Sequence, residues 1–379
     1  MLDAKCKTYK PKRILNVYKH CDGGWFWNKY SASPYLGCQY GCLYCYEWDR
    51  KYNPYDDQED FDKIIQIKEN SSELLRKELR DKPIDIISIG DWQPVEAKYR
   101  LSREMLQVIF DLGFPVFINE KSPLVLRDLD LIKKINDKAY ANIGFSIITT
   151  NDDKIRRIFE PKAPTVISRF EAMKRFSKEG ILTGTVFMPI LPYIYDDDDN
   201  LEEVVKKTKE FGGSYVLDAS LTLWGYCKKK FYQTLEEFNQ NLIHKYENLY
   251  SDEKVMKDYY KEIHRKILRL CERYEVLNYI PRPTKFYPQN IRLNKEVAGI
   301  LYLKARELQL SGENLYKEWA YRKAAWTIDE LKEDIGEIYE EKGENGLLKI
   351  PFIGRKLAEE IKKLLKERYE DKVDTDDFY

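Results

Sequence analysis

Cys38, Cys42 and Cys45 stand in a Cys-x3-Cys-x2-Cys run within Gly37-Cys-Gln-Tyr-Gly-Cys-Leu-Tyr-Cys-Tyr46. Three thiols this close either ligate a metal or react with one another. Thiolate sulfur selects zinc, copper(I) or iron–sulfur clusters. A closed zinc site takes four protein ligands, so a zinc reading must recruit His20 or Cys21. Three ligands on a four-iron cluster instead leave one iron open to a second molecule. Gly37 and Gly41 mark the run as a loop, which weighs against three unligated core cysteines.

The elements around this loop must hold it in place. Amphipathic segments at 71–81, 101–110, 124–138, 167–178 and 201–211 each precede a short apolar run, at 84–90, 116–119, 143–149, 181–190 and 215–221. This alternation predicts βα units in a parallel sheet. A strand before Cys38, with Trp25 and Trp27 alternating along an extended entry, brings the units to six. No doubly-wound glycine fingerprint is present, so the α/β reading is an open (β/α)6 partial TIM barrel with its chemistry at the carboxyl ends of the strands. Residues 231–280 read as two long helices. A linker with three prolines follows at 281–290, and the pattern beyond it is helical. The expected division is a barrel with flanking helices at 1–280, a linker at 281–290, a helical domain at 291–370 and an acidic tail at 371–379.

The cysteine spacing and the aromatic after Cys45 resemble the radical S-adenosylmethionine (radical SAM) superfamily. Ile87-Ser-Ile-Gly-Asp-Trp-Gln-Pro-Val-Glu96, Glu120-Lys-Ser122, Phe145-Ser-Ile147, Glu160-Pro161 with Arg169, and Met188–Pro192 together resemble its spore photoproduct lyase branch, over roughly 25–280. Ser33 departs from the asparagine common there. The resemblance implies a 4Fe–4S cluster on Cys38, Cys42 and Cys45, with S-adenosylmethionine beside it. It implies that the Gly90–Asp91 turn meets the methionine amino group, and that Lys121, Ser146 and Arg169 meet its carboxylate. The implied reaction is one-electron cleavage of S-adenosylmethionine to a 5′-deoxyadenosyl radical, fed by an electron donor such as a ferredoxin or flavodoxin. The residue that donates hydrogen is not assigned; Cys227 invites the comparison, but its surroundings do not match. The run Asp196–Asp199 reads as capping of the next helix rather than as a metal site.

Beyond the linker, Asn294 to Gly312 reads as a capped amphipathic helix with Val297, Leu301, Ala305 and Leu308 on its stripe. Gly312-Glu-Asn-Leu-Tyr-Lys-Glu-Trp-Ala-Tyr-Arg-Lys-Ala-Ala325 and Leu347-Leu-Lys-Ile-Pro-Phe-Ile-Gly-Arg-Lys-Leu-Ala-Glu-Glu-Ile361 follow. Together they resemble the helix–hairpin–helix domain at the amino terminus of family X DNA polymerases. That implies DNA contact through Lys317, Arg322, Gly354, Arg355 and Lys356, because a turn entering a helix aims amides at phosphate. Phe352 stands where the first hairpin glycine is usual, and Glu360 where the Schiff-base lysine is, so lyase activity of that domain does not carry over.

The chain's 379 residues carry 34% charged side chains at zero formal net charge, so no global basic field drives nucleic-acid binding. Seven cysteines, an odd number, fit a reducing cytoplasm. No apolar run suits a membrane span. The expectation is a cytoplasmic radical SAM enzyme, of lyase or modification type, acting on nucleic acid in DNA lesion repair. The rivals are action on RNA, action on a protein or small molecule with the helical domain recruiting a partner, and a non-enzymatic DNA-binding protein with a structural metal.

Overall fold

The computed structural model describes residues 4–312 and 314–376, with side chains up to 367. The chain divides into two compact units, Met1–Tyr18 with Asn28–Tyr279, and Lys19–Trp27 with Ile280–Tyr379. Among the described residues no helix is long and apolar enough to cross a membrane.

In chain order the strands are β1 (Lys5–Tyr9), β2 (Asn16–Val17), β3 (Tyr30–Ala32), β4 (Tyr35–Leu36), β5 (Ile64–Lys68), β6 (Ile87–Ile89), β7 (Val116–Glu120), β8 (Ala141–Ser146), β9 (Leu182–Ile190) and β10 (Tyr215–Ser220). The large sheet runs β2-β3-β6-β7-β8-β9-β10. Every neighbouring pair from β3 to β10 is parallel, and β2 adds an antiparallel edge. These are the six parallel strands of the partial barrel. Their runs are apolar without alternation because both faces are covered, as β8 shows with all six residues buried. The covering helices, such as Leu101–Leu112, Leu129–Lys138 and Val166–Lys178, present their apolar stripes inward; Met105, Ile109, Ile132, Phe170 and Met173 share one core with Ile87, Ile118 and Phe145.

A second sheet, β1-β5-β4, was not legible in the sequence. Its strand β4 ends two residues before Cys38 and so delivers the cysteine loop. The segment expected as one helix from 124 is a 3-10 turn, Pro123–Asp128, followed by Leu129–Lys138. Three helices, Gly225–Phe238, Asn241–Ser251 and Glu253–Tyr274, replace the two expected over 231–280. The last break falls at Asp252, whose carboxylate accepts from the Lys254 amide at 2.7 Å. In the acidic run, Asp197 caps Asp198–Glu210 through the Asn200 amide at 3.0 Å, and Asp198 pairs with Lys266 at 2.6 Å.

The second unit holds helices Gln289–Ser311, Leu315–Asp329, Ile335–Leu348 and Arg355–Asp376. The first starts five residues before Asn294, so Asn294 does not cap it. Its buried amide instead accepts from the Ile335 amide at 2.7 Å and donates to the Glu333 carbonyl at 2.8 Å, which fixes the start of a later helix. Residues Lys19–Trp27 group here and not with the barrel. Trp25 and Trp27 form no strand. Trp27 adopts a φ of 62° and donates its indole N–H to the Ile280 carbonyl at 2.7 Å. Arg282 lies 5.1 Å from the Trp27 ring and pairs with Asp329, which Lys295 also meets at 3.2 Å. A buried carboxylate in such company needs both cations. A helical fragment starting at Pro288 would therefore lack part of its own core. Positions 377–379 of the expected acidic tail lie outside the described residues.

Candidate functional site

The cysteine loop is fastened to the carboxyl ends of the barrel strands by side-chain amides and phenols. The Gln39 amide N–H donates to Gln93 Oε1 at 2.9 Å, the Val95 amide donates to Gln39 Oε1 at 2.6 Å, and Gln93 Nε2 reaches the Gly37 carbonyl at 3.0 Å. This clasp joins the loop to the turn after β6. Trp48 Nε1 donates to the Cys42 carbonyl at 2.9 Å and holds the loop's own curve. Gly37 and Gly41 have φ of 82° and 56°, and a Cβ at Gly37 would stand 2.6 Å from the Ile64 carbonyl. Only glycine fits there.

Cys42 is buried and Cys38 and Cys45 are partly so, packed beside Cys227, Trp48 and Phe61. Burial raises all three thiols. Cys42 stands at about 11, with Lys121 offsetting part of the rise. Thiols this reluctant to ionise stay protonated at neutral pH unless a metal replaces the proton. No group of three or more His, Cys, Asp or Glu side chains converges on a single-ion site among the described residues. Three thiols on one loop suit a cubane cluster that keeps one iron open.

Two charge groups flank the thiols. The first is acidic. Asp91 adopts a φ of 77° at the turn after β6, and its carboxylate takes the Ser33 hydroxyl. Burial raises Asp91, with Ser33 and Lys68 opposing. Glu120, at the end of β7, accepts from the Trp92 amide at 2.8 Å and is raised by burial to about 7. Burial and then Asp91 raise Glu47 to about 7. Carboxylates held this high call for a cation, and an ammonium or sulfonium supplies one. Gly90 has an ordinary φ, and a Cβ there would meet the Asn119 carbonyl and Glu120 Oε1 at 3.7 Å, an ordinary contact; its carbonyl and that of Asp91 each accept from the Ser102 hydroxyl at 3.2 Å.

The second group centres on Glu160, fully buried and held by Tyr44 of the cysteine loop and by Arg169. Arg169 is itself fully buried. Its guanidinium donates to the Ser146 carbonyl at 2.9 Å and the Pro164 carbonyl at 2.8 Å as well as to Glu160. Both terminal nitrogens of the fork expected to grip a cofactor carboxylate are thus engaged by the protein, while Nε is buried without a partner. Lys121 contacts the Ser146 hydroxyl, stands 3.6 Å from Glu160 and 5.5 Å from the Tyr44 ring, and keeps 13% side-chain exposure. Of the two cations expected at the cofactor carboxylate, Lys121 is the one with side-chain exposure.

Burial alone would raise Glu160, but Arg169 and Lys121 outweigh it and bring the group to about 2, from an ordinary 4.5. A depressed carboxyl stabilises the fold fully above its unfolded value and loses that contribution as pH falls through the folded one. On the order of 3 kcal/mol should therefore disappear between pH 4.5 and 2. Urea unfolding across that window should show a shallower acid slope for Glu160→Gln than for the parent; an equal slope would place the acid sensitivity elsewhere.

Sequence reasoning missed Glu47, the Gln39–Gln93 clasp, the Tyr44–Glu160 tie and the hydrogen bond of Ser33 to Asp91. Glu160 and Ser33 had a signal, since both stand in motif positions. Gln39 and Gln93 stand in motif positions too, but nothing in a neutral amide names the partner it will meet. Cys227 donates its thiol to the Trp224 carbonyl at 2.7 Å.

In the helical unit the hairpin turn runs from Ile350, with the Ile353 amide on the Ile350 carbonyl at 3.2 Å and the Ala358 amide on the Gly354 carbonyl at 2.9 Å. Phe352 takes a φ of 66° and so holds the left-handed turn despite its side chain, at a cost of ~1–2 kcal/mol. Gly354 has no such φ, and a Cβ there meets open space. A larger residue at Gly354 would not block the turn. Arg355 and Lys356 are exposed, as is Lys317, while Arg322 is tied to Gln309 at 2.9 Å and Glu318 at 3.1 Å. Glu360 pairs with Lys304 and accepts from the Tyr321 hydroxyl at 2.7 Å.

Residues 32–206 match the family model of the Radical SAM superfamily, and residues 292–370 match that of a Helix-hairpin-helix domain. An uncharacterised protein of Methanocaldococcus jannaschii is 30% identical over 192 residues, half of this chain and 70% of that one. An uncharacterised protein of Mycobacterium tuberculosis is 25% identical over 246 residues, 63% of this chain and 72% of that one. A spore photoproduct lyase variant, solved with bound AdoMet and dinucleoside spore photoproduct, shares the fold at a TM-score of 0.52. It is 13% identical and covers 74% of this chain and 83% of its own. The chain belongs to the radical SAM superfamily, and it joins that α/β enzyme domain to a carboxy-terminal helix–hairpin–helix domain. Enzymes of this superfamily use a 4Fe–4S cluster and S-adenosylmethionine.

Proposed function

We propose that this enzyme cleaves S-adenosylmethionine on a cluster held by Cys38, Cys42 and Cys45 and acts on nucleic acid, in the repair of a DNA lesion. When bound, the reduced cluster supplies one electron to the sulfonium, which releases methionine and a carbon radical able to abstract hydrogen. The protein's share is placement. Asp91, Glu47 and Glu120 offer negative charge to the ammonium of the methionine moiety, with the Gly90 and Asp91 carbonyls beside them. Lys121, oriented by Ser146, meets the carboxylate. Arg169 and Glu160 hold the β8 end and the cysteine loop in register and touch neither.

The observation that carries this reading is the three-thiol loop clasped to the ends of β6 and β8, between an acidic and a basic group. The helix–hairpin–helix domain supports a nucleic-acid substrate, and the spore photoproduct lyase neighbour, with its dinucleoside photoproduct, favours a DNA lesion. An electron donor of the ferredoxin or flavodoxin type completes the reaction.

Anaerobic, reduced protein should convert S-adenosylmethionine to 5′-deoxyadenosine and methionine. Lys121→Ala should weaken cofactor binding by about 1.5–3 kcal/mol, as for a hydrogen bond to a charged group. Deuterium transferred from labelled DNA into 5′-deoxyadenosine, read by mass spectrometry, tests the substrate. Transfer from RNA or protein alone would overturn the DNA assignment.

A further inference from the structure

Three exposed rings of the barrel unit stand beside the cysteine loop and take no part in the cofactor contacts proposed above. Tyr46 follows Cys45 directly and is 48% exposed, Tyr52 is 40% exposed and Trp224 36%. They run in series: Tyr46 lies edge-on to Tyr52 at 5.1 Å, and Tyr52 edge-on to Trp224 at 6.3 Å. Trp224 lies between β10 and helix Gly225–Phe238, so the series joins the cysteine loop to the carboxyl end of the last barrel strand. Lys51 Nζ stands 5.2 Å from the Tyr52 ring and 5.7 Å from the Trp224 ring.

The rings sit on a fixed frame. Asp49 accepts from the Lys51 amide at 3.1 Å and from the Tyr226 amide at 2.8 Å, which ties the segment after the cysteines to the segment after Trp224. Gly225 has a φ of 50°, and a Cβ there would collide with the Asp49 carboxylate, so glycine alone permits this approach. The Trp224 carbonyl accepts from the Cys227 thiol at 2.7 Å and the Lys228 amide at 3.2 Å. An exposed aromatic patch held this firmly is the mark of a binding surface. The charge around it is basic: Arg50, Lys51, Lys228 and Lys229 are exposed. The carboxylate of Glu59, on the same side of that helix, is matched by Lys230 at 2.6 Å and the Tyr226 hydroxyl at 2.7 Å.

We infer that Tyr52 and Trp224 form a stacking platform for a nucleobase flanking the reacting one, with Lys51, Lys228 and Lys229 meeting the phosphates beside it. The inference rests on the nucleic-acid reading above and adds where the barrel itself holds the strand. Stacking needs only the π face that every base carries, and a cation lying against the rings strengthens the site for an anionic strand. Tyr46 links the platform to Cys45, so a base held there leaves its neighbour in the strand directed toward the cysteine loop. The platform is thus a positioning device: it engages the substrate beside the reacting atoms and not at them. An acidic protein surface would be met by the lysines alone and gives no use to three rings turned to solvent.

The test uses the full-length chain, reconstituted anaerobically, and an oligodeoxynucleotide of about 15 nucleotides carrying one 5-iododeoxyuridine, moved along the strand in a series. Long-wavelength ultraviolet light joins iodouracil to an aromatic side chain stacked on it, and peptide mapping by mass spectrometry locates the adduct. Adducts should fall on Tyr52 or Trp224. Trp224→Leu and Tyr52→Leu, which keep bulk without a π face, should each lower affinity for the same strand about tenfold. Iron content and melting temperature should stay at the parent's values in both, because the two rings lie at the surface. Adducts confined to residues 291–370, or unchanged affinity in both leucine variants, would overturn the inference and leave the nucleic-acid reading standing. Failure of the parent to bind the strand or form any adduct would overturn both, and the rings with their lysines would then belong to the docking face of a protein partner.

Discussion

Alanine at Cys38, Cys42 or Cys45 should leave the protein folded but unable to hold iron. The parent, reconstituted anaerobically, should carry about four iron and four sulfide per chain; each variant should retain little of either and form no 5′-deoxyadenosine. The argument starts from cost. Burial lifts the three thiols well above their ordinary range, with Cys42 at about 11. Without metal they are neutral apolar side chains in the loop, and alanine replaces them with a small loss of packing. With metal they must all be thiolates, and removing one strips both a bond and a charge from a cluster that has three protein ligands. Ligation then releases protons, so iron uptake should rise with pH through the neutral range. Cys6, exposed on β1, and Cys271, in a separate core cluster, serve as controls, and alanine at either should leave iron content unchanged. Cys227 is the sharper control, because it packs beside Cys38 and Cys45. Its thiol is engaged by the Trp224 carbonyl, so Cys227→Ala should also keep the iron. Stoichiometric zinc without charge-transfer absorption, or iron lost in Cys227→Ala, would overturn the three-ligand assignment.

The parallel strands were legible because β6 to β10 are short apolar runs between amphipathic helices, and burial on both faces forces that pattern on any sequence. The second sheet was hidden. β4 is two residues long and carries no period, and β5 alternates, burying Ile65 and Ile67, over five residues only. The cysteine loop was legible because thiols at that spacing have few other uses. What the sequence could not show was where the charges point. Arg169 is found from its motif, yet nothing in the string says that Glu160, Ser146 and Pro164 take its terminal nitrogens. Asn294 has the composition of a cap and is one, but for a helix 41 residues further on, a relation that only the fold creates. Phe352 follows the same logic in reverse. Its bulk argues against a left-handed turn, and the surrounding hairpin imposes one. Tertiary context overrode local preference at each of these places. Trp25 and Trp27 were misread for a related reason. Alternating aromatics suit a strand, but here Trp27 packs on Tyr302 and Arg282 of the helical unit.

Arg169→Ala should unfold the barrel at markedly lower denaturant, with a loss of about 3–5 kcal/mol, the usual cost of stripping one partner from a buried ion pair. The sequence pattern alone points to a cofactor contact, which predicts a weaker ligand and an intact fold. The geometry predicts the opposite. Arg169 is fully buried, and its donors reach Glu160, the Ser146 carbonyl and the Pro164 carbonyl. Removing it leaves Glu160 with Lys121 at 3.6 Å and Arg156 at 3.7 Å, both farther than the lost partner. It also leaves two carbonyls without their donor. Arg169→Lys keeps the charge but not the fork, so it should recover part of the stability and not all. Adding Glu160→Gln to Arg169→Ala should restore some of the loss, because the stranded charge goes with its partner; a coupling of about 0.5–3 kcal/mol is the expected size. Lys121→Ala provides the contrast, with cofactor affinity falling and the unfolding midpoint nearly unmoved, since that side chain is partly exposed and makes one weak ion pair. If Arg169→Ala instead melted like the parent and lost only cofactor affinity, Arg169 would be a ligand contact after all, and the hold on the β8 end would fall to Tyr44 and Glu160.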